Sequence, residues 1–418
     1  MAKPSAASLK RVTAQNLRGL GADRLAEILV EVADTRVDLK RRLRMELAAG
    51  LGPAHLVPEI DKRLAALETS RGQVAWRQKP AFLRDLDALR GLVAHRLAAE
   101  APDTALERMW RFLATHAQTS ARLRDHDEAF EAIYRRAAGD LGSLLTAHDP
   151  HLAAQALIDA AAAAPLSWAK WTSAVFADGM NKTAAIALAV AQARAQHAPG
   201  WIQVVRHLAD AAADVEAYGA TYGQAALETP AVAVEIARRW LAAGHIEPAG
   251  HALRRAAPMP KGSSGRLAAP DFDWESAWID YLEASGQTAA AQAVRWASFQ
   301  RTLDLARARA FVGGLDGFDD VEAEEQVLSY AAAHRDVQRG LAVLMDWPAY
   351  AEASRMILER DEDAKIDPDL AEAWAAKLRR RFEGAAHRLL RRGAATALKR
   401  RDFEASRRLT EEADAIAI

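Results

Sequence analysis

Two consecutive helical hairpins between residues 229 and 296 constrain the fold of this chain more than any other feature of its sequence. In each hairpin, two segments with helical periodicity flank a short turn, and the turns contain Gly244 and Gly286. These glycines are 42 residues apart, within the range of roughly 20–50 residues that is typical of stacked repeats. The sequence therefore predicts a helical-repeat fold, with helices over 231–241, 248–256, 274–284 and 288–297.

The side chains of these hairpins indicate why they would stack. Trp278, Tyr281 and Leu282 fall at positions i, i+3 and i+4, on one face of a helix. Thr229 and Pro230 form a helix start signal, a capping hydroxyl followed by proline at the first helical position. Neither hairpin buries its second face alone, so each requires a neighbour. The alternative to an α-solenoid is an ordinary bundle of unrelated antiparallel helices.

Composition and length predict an all-α protein with two parts. Alanine dominates the sequence, followed by leucine and arginine, and all three favour helices. Because 418 residues exceed what one core usually serves, two domains or one elongated solenoid are both allowed. We expect an N-terminal helical domain over 1–148, which could be a distinct bundle, and a helical-repeat domain over 149–418. The boundary follows Gly139 and Gly142, which we interpret as turn signals, and precedes a helix start at Asp149.

Charge and cysteine content exclude several classes of protein. The formal net charge is −1, from 55 basic and 56 acidic residues, so no global electrostatic attraction to nucleic acid or anionic lipid is expected. The absence of cysteine excludes disulfides, thiolate zinc sites and cysteine nucleophiles. No apolar segment reaches the roughly 18–20 residues of a membrane span, and Met1–Ser8 lacks a secretory signal. We therefore expect a cytoplasmic protein that does not contact membranes.

The sequence predicts no catalytic, cofactor-binding or metal-binding residues. His148 and His151 are spaced so that both could bind one metal ion, but no third ligand accompanies them, and Asp149-Pro150 between them is typical of a helix start. The segment 261–265 lacks the Walker spacing of a phosphate-binding loop.

An acidic segment near residue 366 resembles a calcium-binding loop. Its carboxylates occupy positions 1, 3, 7, 9 and 12 of that pattern, but Ile366 stands where the sharp turn requires glycine. A solvated acidic connector before a capped helix is the simpler interpretation. The carboxylates are Asp361, Asp363, Asp367, Asp369 and Glu372.

Basic residues accumulate near the C-terminus. Such a run can form an electrostatic footprint for phosphates, but it can also be an outer face whose arginines pair with nearby acids such as Glu383 and Asp402. Aromatic residues do not interleave with it as they do in single-strand binders. The candidate contacts for nucleic acid or an anionic partner are Arg380, Arg381, Arg388, Arg391, Arg392, Lys399, Arg400 and Arg401.

Four segments resemble an uncharacterised family of bacterial helical proteins. They are 20–26, 295–303, 318–325 and 344–348, and their order and spacing extend the resemblance over nearly the whole chain. The resemblance implies a helical-repeat fold, similar to tetratricopeptide or HEAT arrays, and a bacterial source. It implies no activity and transfers no catalytic residue. Residues 401–409 depart from the family pattern, because they are more basic and lack the Tyr and His expected there.

We expect a non-enzymatic scaffold or adaptor that binds another protein through a groove of stacked hairpins. The alternative is a nucleic-acid-binding protein that uses the basic C-terminal helices. A third possibility is an enzyme with a site dispersed over several helices, for example near Asp319 and Asp320.

Overall fold

The computed structural model describes residues 12–124, 127–194, 198–261, 266–267, 269–315, 317, 319–360 and 365–416. The fold is all-helical, as predicted. The helices of the N-terminal half are α1 Ala14–Arg18, α2 Ala22–Thr35, α3 Val37–Gly50, α4 Pro53–Thr69, α5 Lys79–Gly91, a π-helical turn Leu92–Leu97, α6 Ala98–Glu100, α7 Pro102–Ala114, α8 His116–Ser120, α9 Glu128–Leu145, α10 Pro150–Ala163, α11 Pro165–Val175, α12 Asn181–Ala193, α13 Trp201–Ala211 and α14 Val215–Ala220. Those of the second half are α15 Gln224–Leu227, α16 Pro230–Ala242, α17 Ile246–Arg255, α18 Phe272–Ala284, α19 Thr288–Thr302, α20 Leu305–Gly313, α21 Asp319–Ala333, α22 Val337–Asp346, α23 Tyr350–Glu359, α24 Pro368–Leu378, α25 Glu383–Lys399 and α26 Phe403–Asp414.

One small β-ladder interrupts this pattern. Strands β1 Pro260–Lys261 and β2 Arg266–Leu267 pair antiparallel, with Pro260 opposite Leu267. The sequence offered no strand pattern here, because two residues per strand are too few to show alternation. The ladder lies in the connection between α17 and α18.

The chain divides into two compact units, residues 1–223 and 224–418. Helices on both sides of residue 148 pack together inside the first unit, as α9 does with α11. The division expected after residue 148 therefore falls within that unit. That the chain divides after residue 148 into two independently folding parts stays a prediction.

The close approach of α9 and α11 depends on a glycine. Gly142 is buried inside α9, where a Cβ atom would lie 2.0 Å from the carbonyl oxygen of Val175. Gly139 lies one turn earlier in the same helix, and a Cβ atom there would make an ordinary contact of 3.6 Å with the oxygen of Ala174. Our interpretation of these glycines as turn signals was wrong. At least Gly142 serves helix packing, which a single sequence cannot distinguish from a chain reversal.

A buried histidine organises the aromatic core of the first unit. His116 stacks on Phe130, and its ring edge meets Tyr134 and Trp171 at centroid distances of 4.8 and 4.9 Å. Its Nε2 atom lies 3.3 Å from Oε1 of Glu131, which also accepts a hydrogen bond from Lys170 through Oε2. Burial, opposed by the charge of Glu131, lowers the pKa of His116 below its usual value of 6.5. The imidazole is therefore held in its neutral form.

We expect this histidine to make the first unit less stable in mild acid. Because the pKa of His116 is lower in the folded than in the unfolded chain, the unfolded state binds more protons as the pH falls below 6.5. The free energy of unfolding should therefore decrease below that pH and level off above it. His116→Gln should show a flatter profile in chemical denaturation between neutral pH and pH 5. The matched control is His148→Gln, whose histidine is only partly buried; equal slopes for both variants would contradict this role.

The second unit begins with the two hairpins that the sequence predicted. Helices α16 and α17 form the first, α18 and α19 form the second, and α16 packs beside α18. Their shared core includes Trp274, whose indole N–H donates to the carbonyl of Leu253, and Tyr281, whose ring lies against Gly250. Helix α16 begins at Pro230 as expected, but the hydroxyl of Thr229 donates backwards to Ala226 and does not cap the helix.

Helices α21–α26 continue the second unit, with α21 packing on α22, α22 on α23 and α23 on α25. Helix α25 packs between α24 and α26, and its buried face includes Leu389 and Leu390. Residues 400–402 join α25 to α26. Asp367 caps α24 by accepting from the amide of Asp369, with Pro368 at the first helical position, which confirms the predicted start.

Candidate functional site

The predicted basic residues at the C-terminus do not form one patch. Arg380 and Arg381 lie in the turn before α25, whereas Lys399, Arg400 and Arg401 lie at its other end. All five are exposed. Since α25 has 17 residues, the two groups are separated by a helix about 25 Å long. A ligand that touched both groups would have to follow the whole helix.

The remaining three arginines of the prediction line a cleft of about 440 Å³ along α25. Each of them already makes a contact within the chain. Arg388 donates to the carbonyl of Leu358 at 2.9 Å, and Arg391 forms an ion pair of 2.7 Å with Asp414. Arg392 is buried, and it donates to the carbonyl of Arg360 at 2.7 Å. Arg392 is therefore a core residue and not a surface contact.

Ion pairs with distant acids reduce the positive charge of this region further. Arg400 pairs with Asp367 at 2.8 Å, Arg408 pairs with Glu372 at 2.8 Å, and Arg379 contacts Glu412. For much of the basic C-terminal run, the structure therefore agrees with the second interpretation given above, in which the arginines of an outer face pair with acidic residues. In these ion pairs the acids lie in α24, at its cap Asp367, or in α26, and they are not the neighbours Glu383 and Asp402.

A more concentrated cationic site lies elsewhere in the second unit. The cationic cleft, as we name it, has a volume of about 520 Å³ and lies between the end of α19 and the turn that joins α21 to α22. Three guanidinium groups line it, together with one imidazole, one phenol and a single carboxylate. Its polar lining residues are Gln300, Arg301, Tyr330, His334, Arg335, Asp336 and Arg339.

A buried carboxylate positions the first of these arginines. Glu275 is 2% exposed and accepts a hydrogen bond from Arg301 Nη2 at 2.5 Å and another from the hydroxyl of Ser298 at 2.8 Å. Ser298 is itself fully buried on the inner side of α19. The guanidinium of Arg301 is thus held from behind while about a third of its side chain stays exposed at the cleft.

Capping and backbone contacts fix the opposite wall. Asp336 caps α22 by accepting from the amide of Arg339 at 3.1 Å, and the Arg339 side chain donates to the carbonyl of Thr302. Arg360 donates to the carbonyls of Ala332 and His334, both at 3.0 Å, which holds the turn from below. The turn is therefore rigidly attached to the helices around it.

Charge and geometry make the cleft suitable for carboxylates or phosphates. The hydroxyl of Tyr330 donates to the carbonyl of Gln300 at 2.9 Å, and this hydrogen bond fixes the position of the tyrosine ring in the lining of the cleft. Arg335 and Arg339 are exposed, and Asp336 is already engaged as a helix cap. Arginines present planar forks of donors that match the two oxygens of a carboxylate. The arrangement therefore supplies groups that can bind an anion.

Sequence reasoning did not find this cleft. Arg301 appeared only within the segment that carries the family resemblance, and Arg335 and Arg339 were not singled out. The sequence signal that could have indicated the cleft is a capping aspartate, Asp336, between two arginines four residues apart, Arg335 and Arg339. Recognising it as a site required knowing that the end of α19 lies beside this turn.

The other candidate sites of the sequence analysis have structural roles where they are described. Asp149 caps α10 by accepting from the amides of His151 and Leu152, and His148 contacts the carbonyl of Leu144. Asp319 and Asp320 form the first turn of α21. Within the described part of the chain, no group of three or more potential ligands could hold a metal ion. Asp361 and Asp363 of the calcium-like pattern, and residues 262–265, lie outside the described residues.

Architecture and site together define an all-helical protein with a cationic cleft. The chain belongs to a family of unknown function, DUF6880, which it matches over residues 7–167 and 167–415. This match confirms the predicted resemblance to an uncharacterised family. None of the curated proteins matches the chain. Across the residues that the structure describes, no helix is both long enough and apolar enough to cross a membrane.

Proposed function

We propose that this protein is a non-enzymatic bacterial scaffold that acts in the cytoplasm and binds an acidic segment of another protein. In this proposal its hairpins stack as an α-solenoid, similar to tetratricopeptide or HEAT arrays, and present the cationic cleft as the recognition site. The observation that carries the proposal is the cleft itself, with three arginines around one carboxylate that is engaged as a cap.

The size and wall chemistry of the cleft favour a peptide over a nucleic acid. A cleft of about 520 Å³ accommodates one or two acidic side chains, whereas nucleic-acid binding relies on an extended row of phosphate contacts. The exposed basic residues of the C-terminal run stand at the two ends of α25, and Arg400 among them is paired with Asp367, as Arg391 within the helix is with Asp414. Hydrogen bonds to charged groups are worth about 1.5–3 kcal/mol each, enough for a specific though modest affinity.

We expect a fluorescein-labelled peptide rich in Asp and Glu to bind the full chain, and a Gln/Asn peptide of the same length not to bind. Binding should weaken as salt is raised. The double variant Arg335→Glu/Arg339→Glu should lose at least tenfold in affinity, about 1.4 kcal/mol or more, by fluorescence anisotropy. Arg355→Glu, a charge reversal at an exposed arginine of α23 outside the cleft, is the matched control and should bind as the wild type does.

Two results would count against this function. If the acidic peptide bound all three proteins equally, its attraction would be non-specific and the cleft would not be the site. If instead a single-stranded oligonucleotide bound tightly and Arg380→Glu/Arg381→Glu abolished that binding, the nucleic-acid alternative would replace the proposal. Circular dichroism melting of each variant would verify that the fold is intact.

A further inference from the structure

Helix α2 is amphipathic, and its apolar face is only partly covered, with Leu25 and Ile28 half-buried. Leu25, Ile28, Leu29 and Val32 follow the i, i+3, i+4, i+7 pattern of one helical stripe. Leu29 and Val32 are 42% and 40% exposed, and Ala33 is the buried residue of this helix. A helix of 14 residues is marginal in water without tertiary packing. Helix α2 packs on α3 within the chain, so the exposed side of the stripe is the surface that a partner would cover.

Exposed apolar side chains are concentrated around this helix. Leu17 and Leu20 precede it, and Val37 follows it with 75% exposure. Elsewhere in the described chain such residues are mostly single, apart from the pairs Leu47/Leu51 and Leu398/Phe403, and scattered apolar residues are normal for a protein surface. A local concentration of this kind marks an interaction surface.

The two flanks of the stripe differ in a way that identifies the partner. On one flank Arg24 and Glu31 lie seven residues apart, two helical turns, with opposite charges. On the other flank the side chains are small, Ala22, Ala26 and Ala33. In an antiparallel pair of identical helices, equivalent flanks face each other. Arg24 would then face Glu31 of the partner subunit, twice by symmetry.

We propose that α2 forms a two-fold symmetric homodimer by packing antiparallel on α2 of a second copy of this chain. Around the symmetry axis, Ile28 packs on Leu29 of the partner subunit, and Leu25 packs on Val32 of the partner subunit. On the alanine flank the exposed Ala22 and Ala26 let the helices approach closely, whereas Ala33 is already buried within the chain. The Arg24–Glu31 pairs fix the direction. Within the monomer Arg24 contacts Glu27 at 2.7 Å, but both side chains are more than half exposed and free to exchange partners.

The size of the contact predicts a reversible dimer. Each α2 is about 21 Å long, so the pair is smaller than the standard interface of about 1,200–2,000 Å², even with the contribution of Leu17 and Leu20. The dissociation constant should therefore lie in the micromolar range. The surface belongs to the first unit and the cationic cleft to the second. Failure of either proposal would leave the other standing.

Sedimentation velocity of the full chain, from about 1 to 100 µM, tests this inference. The wild type should shift with concentration from 45.4 kDa towards twice that mass. Arg24→Glu and Glu31→Arg should each weaken the dimer about tenfold, and the double reversal Arg24→Glu/Glu31→Arg should restore it. Val321→Asp, at an exposed apolar residue of α21, is the control and should dimerise normally.

The charge reversal keeps the test independent of folding, because the double variant has the same composition as the wild type. Ile28→Asp, introduced at the centre of the stripe, should remain monomeric throughout the concentration range. A wild-type chain that stays monomeric up to the highest concentration would overturn the proposal. So would a dimer that none of the α2 variants weakens, since its interface would then lie elsewhere.

Discussion

Gly142→Ala is expected to destabilise the first unit by about 3 kcal/mol, near the upper end of the usual range for overpacked cores. The added methyl group would lie 2.0 Å from the carbonyl oxygen of Val175, which is backbone and cannot rotate away. Helices α9 and α11 would have to separate. Urea denaturation monitored by tryptophan fluorescence measures the loss, since Trp168 and Trp171 lie in the adjacent core.

Gly139→Ala is the matched control for this prediction. It adds the same atom to the same helix, in a position where the nearest neighbour is at an ordinary distance of 3.6 Å. Alanine is favoured over glycine in a helix by about 1 kcal/mol, so this variant should be unchanged or slightly more stable. If both substitutions changed the stability by the same amount, the close contact would not govern the packing.

Arg301→Met is expected to cost about 3–5 kcal/mol in the second unit, because it leaves the buried carboxylate of Glu275 without its ion-pair partner. Methionine retains most of the apolar stem, so the loss reports on the charge and not on packing. Ser298 alone would remain as a donor to this carboxylate.

The double variant Glu275→Gln/Arg301→Met separates these effects. Once the buried charge is also removed, most of the lost stability should return, because a neutral amide costs far less to bury than an unpaired carboxylate. Arg355→Met, at an exposed arginine, should be neutral in the same denaturation experiment. A double variant that is less stable than Arg301→Met would contradict the proposed origin of the loss.

Local chemistry allowed the helices to be predicted well. Asp149-Pro150, Asp367-Pro368 and Pro230 each start a helix because proline lacks the amide that is unpaired there in any case. The turn glycines Gly244 and Gly286 adopt positive φ angles of 77° and 74°, a conformation that side chains other than hydrogen disfavour. These signals act over a few residues, so the sequence displays them directly.

The site could not be predicted in the same way, because its determinants are distant in sequence. Arg400 looked available for phosphate until the structure placed Asp367, 33 residues earlier, beside it. Arg335 and Arg301 share a cleft although two complete helices, α20 and α21, lie between them in the sequence. Gly142 was misjudged for a related reason, since only the neighbouring helix reveals that its missing side chain is required.

The glycine contact in α9 also sets the rotational phase of that helix. Each inserted or deleted residue turns the rest of an α-helix by about 100°, so a single insertion before Gly142 would bring Leu141 against the Val175 carbonyl, where no side chain fits. Gly340 is equally unable to accept a side chain, because an added Cβ atom would lie 2.3 Å from the carbonyl oxygen of Ala331. Members of this family should therefore vary in length between their helices, while the spacing of these glycines from the helix starts stays constant.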